Sequence, residues 1–407
     1  MDEAENVLKS FTEKVDSVFG WNIISETKIS NVRVVKVILF SQIWRNSRWR
    51  HRLNILIPKT CKDEYTLLYV TGTGGEHEKL LLCINFTKSL SIPCAVLHDV
   101  PNQPLFQGLY EDALIAYTFK KYLETGDEEF PLLLPMVKSV RRSMDALEEM
   151  LRESLGQKPR GFIITGASKR GWTTWLTAAV DKRIVGIAPM VYDNLNLYRQ
   201  MEHQIECYGT YSEQIADYTK LSLQQKMNTE MGKKLVELID PYSYRDEIDI
   251  PKLIINGTND RYWTVDSVNL YFNDLSGEKY ILYVPNSGHS LEDKRRVINT
   301  LIEFTFSVMK KERLPEVKGV FDGESTFEVS VDQKASYVDL WIAKSQTMDF
   351  RSSKWTSFPG IKERDHFLFQ ISNKKGYVAF FGEATFIREG NVFTLSTPMN
   401  VFGKSYA

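Results

Sequence analysis

The chain has 407 residues, 43% hydrophobic and 25% charged. That usage excludes intrinsic disorder and, at about 150 residues per domain, allows two or three domains. Its 51 Lys and Arg against 52 Asp and Glu leave a formal net charge of -1, so neither a nucleic-acid backbone nor a membrane surface is expected as a partner.

The start, Met1-Asp2-Glu3-Ala4-Glu5, is acidic where a secretory signal carries Lys or Arg, and no apolar run follows it; the expectation is a cytoplasmic protein. Val7, Phe11, Val15 and Phe19 recur at helical spacing across residues 4–19, and residues 22–57 alternate as strands. From 64 to 310 short, almost wholly apolar strands at 65–70, 95–98, 162–165, 184–190, 253–256 and 279–284 alternate with amphipathic helices. Strands that are apolar throughout are covered on both faces, as in a parallel α/β sheet. Apolar runs such as Leu132-Leu133-Leu134 fall far short of the roughly 18 residues a spanning helix needs.

Between Asp193 and Ile250 lies an insertion rich in Tyr, Gln and Glu, with Leu197, Met201, Ile205, Leu235 and Leu238 at helical spacing. It is expected as a helical cap, at about 193–250, within a domain of residues 1–315. After Lys310-Lys311-Glu312-Arg313-Leu314-Pro315 the pattern turns to period two, which predicts an all-β, sandwich-like domain over 316–407.

Cys61, Cys83, Cys94 and Cys207 stand at unrelated spacings; neither a disulfide framework nor a zinc site is signalled, and reduced, buried thiols are expected. His77-Glu78 has no second histidine at helical spacing, and His51, His98, His203 and His366 are scattered, so no metal and no organic cofactor is expected.

The chemistry is concentrated in Phe162-Ile163-Ile164-Thr165-Gly166-Ala167-Ser168-Lys169-Arg170-Gly171-Trp172, a serine at a turn between a buried strand and a helix. A hydroxyl there projects clear of the sheet, as a nucleophile must, and the N–H of Lys169 can point at a substrate oxygen. A serine at such a turn also serves as a helix cap, so a base and an acid are required beside it. Both occur in the order the architecture demands: Asp260 lies in the polar turn after the strand 253–256, and His289 follows the strand that ends at Val284. In this triad His289 takes the Ser168 proton and Asp260 orients the imidazole. Asp193 is an alternative acid and Asp266 a third.

A second oxyanion donor is expected from Thr71, Gly72 or Thr73 in the loop Thr71-Gly72-Thr73-Gly74-Gly75. Read as a phosphate cradle that loop fails, having no Gly-Lys-Ser/Thr end and no dinucleotide-binding spacing. Asn102 and Gln103 are candidates for the site mouth or for turning the chain, and Trp172, Trp175, Tyr192 and Trp263 for a substrate wall or for core. Glu111 and Asp112 suit a helix N-terminus, and Lys169 and Arg170 either attract an acidic substrate group or form salt bridges.

Ser41-Gln42-Ile43-Trp44, Val100-Pro101-Asn102-Gln103-Pro104-Leu105, the stretch 110–118, Leu134-Pro135-Met136-Val137-Lys138, Gly166-Ala167-Ser168-Lys169-Arg170-Gly171 and Pro285-Asn286 before His289 together resemble the PhoPQ-activated pathogenicity-related proteins, to which the autocrine proliferation repressors also look similar. Hydrolases at large carry glycine where this chain has Arg170; these relatives do not. The resemblance implies an α/β-hydrolase-like domain, a mostly parallel sheet with a cap insertion, followed by a C-terminal β domain, similar in outline to prolyl-oligopeptidase-type serine hydrolases. Members are commonly exported, and Asn85-Phe86-Thr87 is a glycosylation sequon.

The expected function is a serine hydrolase that cleaves an ester or amide of a small molecule or peptide through an acyl-enzyme on Ser168. A protein partner for the C-terminal β domain is a further expectation. The alternative is a secreted-type signalling protein that regulates proliferation by binding and keeps the fold without essential catalysis.

Overall fold

The computed structural model describes residues 3–61, 64–363, 366–373 and 375–404; Met1 and Asp2 of the acidic start lie outside them. In chain order come α1 (Glu3–Glu13), β1 (Gly20–Ile29), β2 (Val32–Trp44), β3 (Ser47–Pro58), β4 (Tyr65–Val70), α2 (Glu76–Leu90) and β5 (Cys94–Leu97). Next are α3 (Glu111–Thr125), α4 (Leu133–Leu155), β6 (Gly161–Ala167), α5 (Lys169–Val180) and β7 (Ile184–Met190). The insertion carries α6 (Leu197–Tyr208), α7 (Ala216–Lys220), α8 (Leu223–Lys226) and α9 (Glu230–Ile239). There follow β8 (Lys252–Gly257), β9 (Lys279–Val284), α10 (Lys294–Lys310), β10 (Val317–Phe321), β11 (Thr326–Val331), β12 (Tyr337–Ser345) and β13 (Thr356–Pro359). The last strands are β14 (Ile361–Glu363), β15 (His366–Gln370), β16 (Gly376–Arg388), β17 (Asn391–Ser396) and β18 (Asn400–Lys404).

Two compact units divide the chain: residues 1–190 with 217–251, and residues 191–216 with 252–407. In the first, the strand order is β1-β2-β3-β5-β4-β6-β7. The β1–β2, β2–β3 and β3–β5 pairs are antiparallel, whereas β4 runs parallel to β5 and β6, and β6 to β7, with Leu67 opposite Ile163. The parallel strands are buried because their apolar runs are covered on both faces. Leu67 has no exposure at all, and truncating such a side chain to alanine costs about 2–5 kcal/mol. Helix α4 lays Met136, Val140, Met144, Leu147 and Leu151, one apolar stripe at three- and four-residue steps, into this core against β2 and α5.

In the second unit β8 and β9 are parallel, Ile254 facing Ile281, and the sheet continues through β17, β16, β12 and β13, with β18 on β16. β17 joins antiparallel to β9, Ser396 facing Ile281. A four-stranded sheet, β10-β11-β15-β14, packs on it through Phe327, whose ring lies 5.1 Å from that of Phe380, making the C-terminal strands a sandwich.

The helix expected over 4–19 stops at Glu13, because the chain turns there: Phe19 N–H bonds the carbonyl of Asp16, and Val15 is 92% exposed. The insertion is helical, but α6 belongs to the second unit while α8 and α9 belong to the first, where α9 packs on α3. The cysteines are unpaired; Cys83, Cys94 and Cys207 are buried, and Cys61 is partly exposed. The sequon lies inside α2 with Thr87 fully buried. No helix among the described residues is long and apolar enough to cross a membrane.

Candidate active site

Ser168 alone separates β6 from α5, with φ 59° and ψ -127°. An L-residue held there costs of order 1–3 kcal/mol, which the surrounding fold must supply. Its N–H donates to Met190 O at 2.8 Å, and its carbonyl accepts from the N–H of Trp172 at 3.0 Å. The hydroxyl makes no capping hydrogen bond, so helix capping does not account for this serine. The N–H of Lys169, first in α5, lies among the donors that an α-helix cannot satisfy internally.

The step from β6 into α5 is tight because a Cβ on Gly166 would meet the carbonyl of Arg170 at 2.7 Å. Where hydrolases at large place a glycine, Arg170 is accommodated by running beneath Gly72, where a Cβ would strike its guanidinium. Its Nε donates to Val100 O at 2.5 Å, and Nη1 and Nη2 reach Glu111 at 2.7 and 2.6 Å. Lys169 Nζ pairs with Asp112 at 2.9 Å and with Glu111 at 3.4 Å. Both cations are therefore spent on the acidic N-terminus of α3 rather than offered to a substrate. Burial pushes the Glu111 carboxyl up, but hydrogen bonds from Arg170 and the charges of Arg170 and Lys169 outweigh it and hold the pKa down at about 2.

Of the expected oxyanion donors, Thr71 gives its N–H to Leu97 O at 2.8 Å and is excluded; Gly72 and Thr73 stay as candidates. Gln103 bonds Glu111 through both ends of its amide, and Asn102 accepts from the Arg50 N–H at 3.2 Å. These two side chains brace loops. Trp172 is 5% exposed and Trp175 is fully buried. The Trp172 indole donates to Ile239 O at 2.5 Å and meets Phe119 edge-on, so it is core of the first unit.

In the second unit β8 and β9 each end in a turn, and the two turns interlock. A Cβ on Gly257 would run into the carbonyls of Ser287 and Gly288, so only glycine permits the approach. The N–H of Asn259 donates to Ser287 O at 2.9 Å and that of Asn286 to Thr258 Oγ1 at 2.9 Å. This closure brings together Asp260 Oδ2 and His289 Nδ1 at 2.7 Å. Asp260 Oδ1 accepts the Tyr262 N–H at 2.9 Å. A carboxylate on Nδ1 sets the tautomer with its proton there, leaving the Nε2 lone pair as base; Nε2 makes no hydrogen bond among the described residues.

The other acids are engaged elsewhere. Asp193, 2% exposed, accepts from the Tyr271 hydroxyl at 2.6 Å, and Asp266 pairs with His203 at 2.8 Å. Burial raises the Asp193 pKa to about 7 against the Tyr271 hydrogen bond, with the charges of Asp260 and Asp266 adding to the rise. A carboxyl so often protonated near neutrality is a poor partner for an imidazolium. Trp263 donates to Val191 O at 3.4 Å and meets Tyr192 edge-on; Trp263 and Asp193 line a cavity with Asn256, Asp260 and Tyr283.

Over residues 8–351 the chain matches the model of the PhoPQ-activated pathogenicity-related protein family. The chain belongs to that family. A relative, autocrine proliferation repressor protein A of Dictyostelium discoideum, is 29% identical over 373 residues, 86% of this chain and 73% of its own length. Acetyl xylan esterase 1 from a Thermoanaerobacterium species superposes with a TM-score of 0.55 at 16% identity over 75% of this chain and 93% of the esterase. An acetyl xylan esterase from a Paenibacillus species gives 0.50 at 13% over 72% and 92%. These likenesses are of fold, and the fold of this PhoPQ-related chain is that of the α/β-hydrolases.

Residue-by-residue reading of the PhoPQ-related motifs passes over Tyr262. Its ring stacks on His289, with centroids 4.3 Å apart and planes at 30°. The signal was at hand, since Arg261-Tyr262-Trp263 places two aromatics directly after the acid; Trp263 draws attention by size, whereas Tyr262 is the one on the imidazole.

Proposed function

We propose that this PhoPQ-related chain is a serine hydrolase acting on an ester or amide. Ser168 Oγ attacks the carbonyl carbon while its proton passes to His289 Nε2, and Asp260 stabilises the imidazolium that results. The oxyanion is met by the Lys169 N–H and by the N–H of Gly72 or Thr73. His289 returns the proton to the leaving group as its bond to carbon breaks. Water, deprotonated at the same nitrogen, then cleaves the acyl ester and regenerates Ser168.

The observation that carries this reading is Ser168 itself: a strained, single-residue turn whose hydroxyl does no capping. The Asp260–His289 pair, its outer nitrogen without a hydrogen bond among the described residues, supports it. The test is labelling of the purified chain by a fluorophosphonate probe. Labelling that disappears in Ser168→Ala is the expected result, and a native protein that does not label defeats the proposal.

The 29% identity to a proliferation repressor favours a second reading, regulation of proliferation through binding. There the C-terminal strands, with Phe358 53% and Ile361 71% exposed, are the surface offered to a protein partner. A growth effect undiminished in Ser168→Ala would favour it over catalysis.

A further inference from the structure

Helix α6 carries His203 and Cys207 four residues apart, hence on one face. Opposite them stands Asp266, just before the turn Ser267–Leu270. Cys207 Sγ is 3.4 Å and Asp266 Oδ1 2.8 Å from His203 Nε2; the three donor atoms all lie within 4.8 Å of one another. We propose that His203, Cys207 and Asp266 form a zinc site that clamps α6 to the segment 260–267.

The spacing suits the ion. Zinc bonds of about 2.3 Å to sulfur and about 2.0 Å to nitrogen or oxygen, at tetrahedral angles, put sulfur and nitrogen about 3.5 Å apart and nitrogen and oxygen about 3.3 Å apart. The sulfur–nitrogen separation is already there. The His203–Asp266 pair, hydrogen-bonded without metal, has to open by about 0.5 Å to admit it. Thiolate, imidazole and carboxylate together favour zinc over magnesium or calcium, with water in the fourth position. Binding displaces the thiol proton of Cys207 and the proton shared between His203 and Asp266, both released to solvent.

Two features go beyond the trio. Glu206 Oε2 sits 3.1 Å from His203 Nδ1, the outer-shell carboxylate that fixes a ligating imidazole with its other nitrogen toward the metal. The cluster is also held in place from both sides. Gln200 donates to Ser267 O at 3.0 Å, Gln204 to Tyr262 O at 3.0 Å and the Tyr208 hydroxyl to Trp263 O at 2.7 Å. Donors on a braced frame lose little entropy on binding. Cys207 is 7% exposed, while the His203 and Asp266 side chains, at 15% and 17%, leave an entry route.

The test is titration of the full chain with Co²⁺, then displacement by Zn²⁺, read by absorption and by thermal melting. One equivalent of cobalt is expected to give a thiolate-to-metal charge-transfer band that zinc abolishes, and zinc is expected to raise Tm. Cys207→Ser should lose the band and the Tm shift, His203→Gln should weaken binding at least about 100-fold, and Glu206→Gln about 10-fold. A native chain without the band at excess cobalt overturns the proposal. So does a band that persists in Cys207→Ser, which would place the metal on Cys61, Cys83 or Cys94. Neither readout depends on hydrolysis, so a failure here and a failure of the Ser168 chemistry are distinct. Far-ultraviolet circular dichroism of each variant separates lost ligands from lost fold.

Discussion

Tyr262 lies flat against His289, ring centroids 4.3 Å apart, and by its own backbone N–H binds the carboxylate that holds the other edge of that imidazole. The residue two past the acid thus grips both members of the pair: Oδ1 of Asp260 through its amide, and the histidine through its ring. One turn restrains the imidazole through both its carboxylate partner and its ring face, because the chain after β8 turns back onto Asp260.

Tyr262→Phe keeps the ring and is expected to leave kcat within about 3-fold, while Tyr262→Ala lowers kcat about 10-fold with KM little changed. Steady-state kinetics on a simple ester checks this. Equal losses in both variants would mean that the phenol hydroxyl, not stacking, is what matters.

Asp260→Asn keeps the shape of the acid and removes the charge that selects the imidazole tautomer. It is expected to lower kcat about 10³- to 10⁴-fold with Tm nearly unchanged. Asp193→Asn, whose parent carboxyl bonds Tyr271, should fall far short of that loss. The comparison of the two pH–rate profiles discriminates the acids.

Glu111 gives a pH signature of stability. Its pKa, about 2 in the fold against 4.5 ordinarily, means that the unfolded chain takes up the proton first as pH falls. The stabilisation is therefore complete above pH 4.5 and is lost between 4.5 and about 2. Glu111→Gln should cost about 1–3 kcal/mol at neutral pH, less than for a fully buried pair because Glu111 is 39% exposed. Urea unfolding of the two proteins should converge toward pH 2.

The C-terminal region, chiefly the connection between β12 and β13, braces the turns that carry Asp260 and His289. Asn259 donates to Ser353 O at 2.7 Å, Asn286 to Trp355 O at 3.0 Å, and the Tyr283 N–H to Ser396 Oγ at 3.0 Å. Deleting 316–407 also strips β17 from the edge of β9. Such a truncation is expected to be insoluble and inactive, whereas Asn259→Ala, which removes the side-chain bonds to the carbonyls of Phe350, Arg351 and Ser353, should lower Tm by a few degrees and lower kcat. A soluble, active truncation would show that the turns hold without the brace.

Much of this was legible in one dimension. Almost wholly apolar runs at 65–70 and 162–165 foretell strands covered on both faces, since successive side chains of a strand point to opposite faces and both faces must then leave water. Gly166, Ser168 and the order Ser168, Asp260, His289 foretell the elbow and the hydrogen-bonded acid–histidine pair, because a one-residue strand-to-helix step and a glycine under a neighbouring turn leave local marks. What was hidden depends on partners far apart in the chain. Arg170 and Lys169 look like substrate anchors until Glu111 and Asp112 are found against them, and Asn102 and Gln103 look like site residues until their amides are seen holding loops.

The amino-acid order by itself determined which segments are strands and helices, the family, and which hydroxyl and imidazole are worth testing, because patterning and turn chemistry act over a few residues. Only tertiary structure decided that Tyr262 stacks on the histidine, and that Asp266 faces His203 and Cys207 on α6. Hydrogen bonds and metal geometry are satisfied within about 3 Å, and no spacing along a chain specifies which distant side chains folding brings that close.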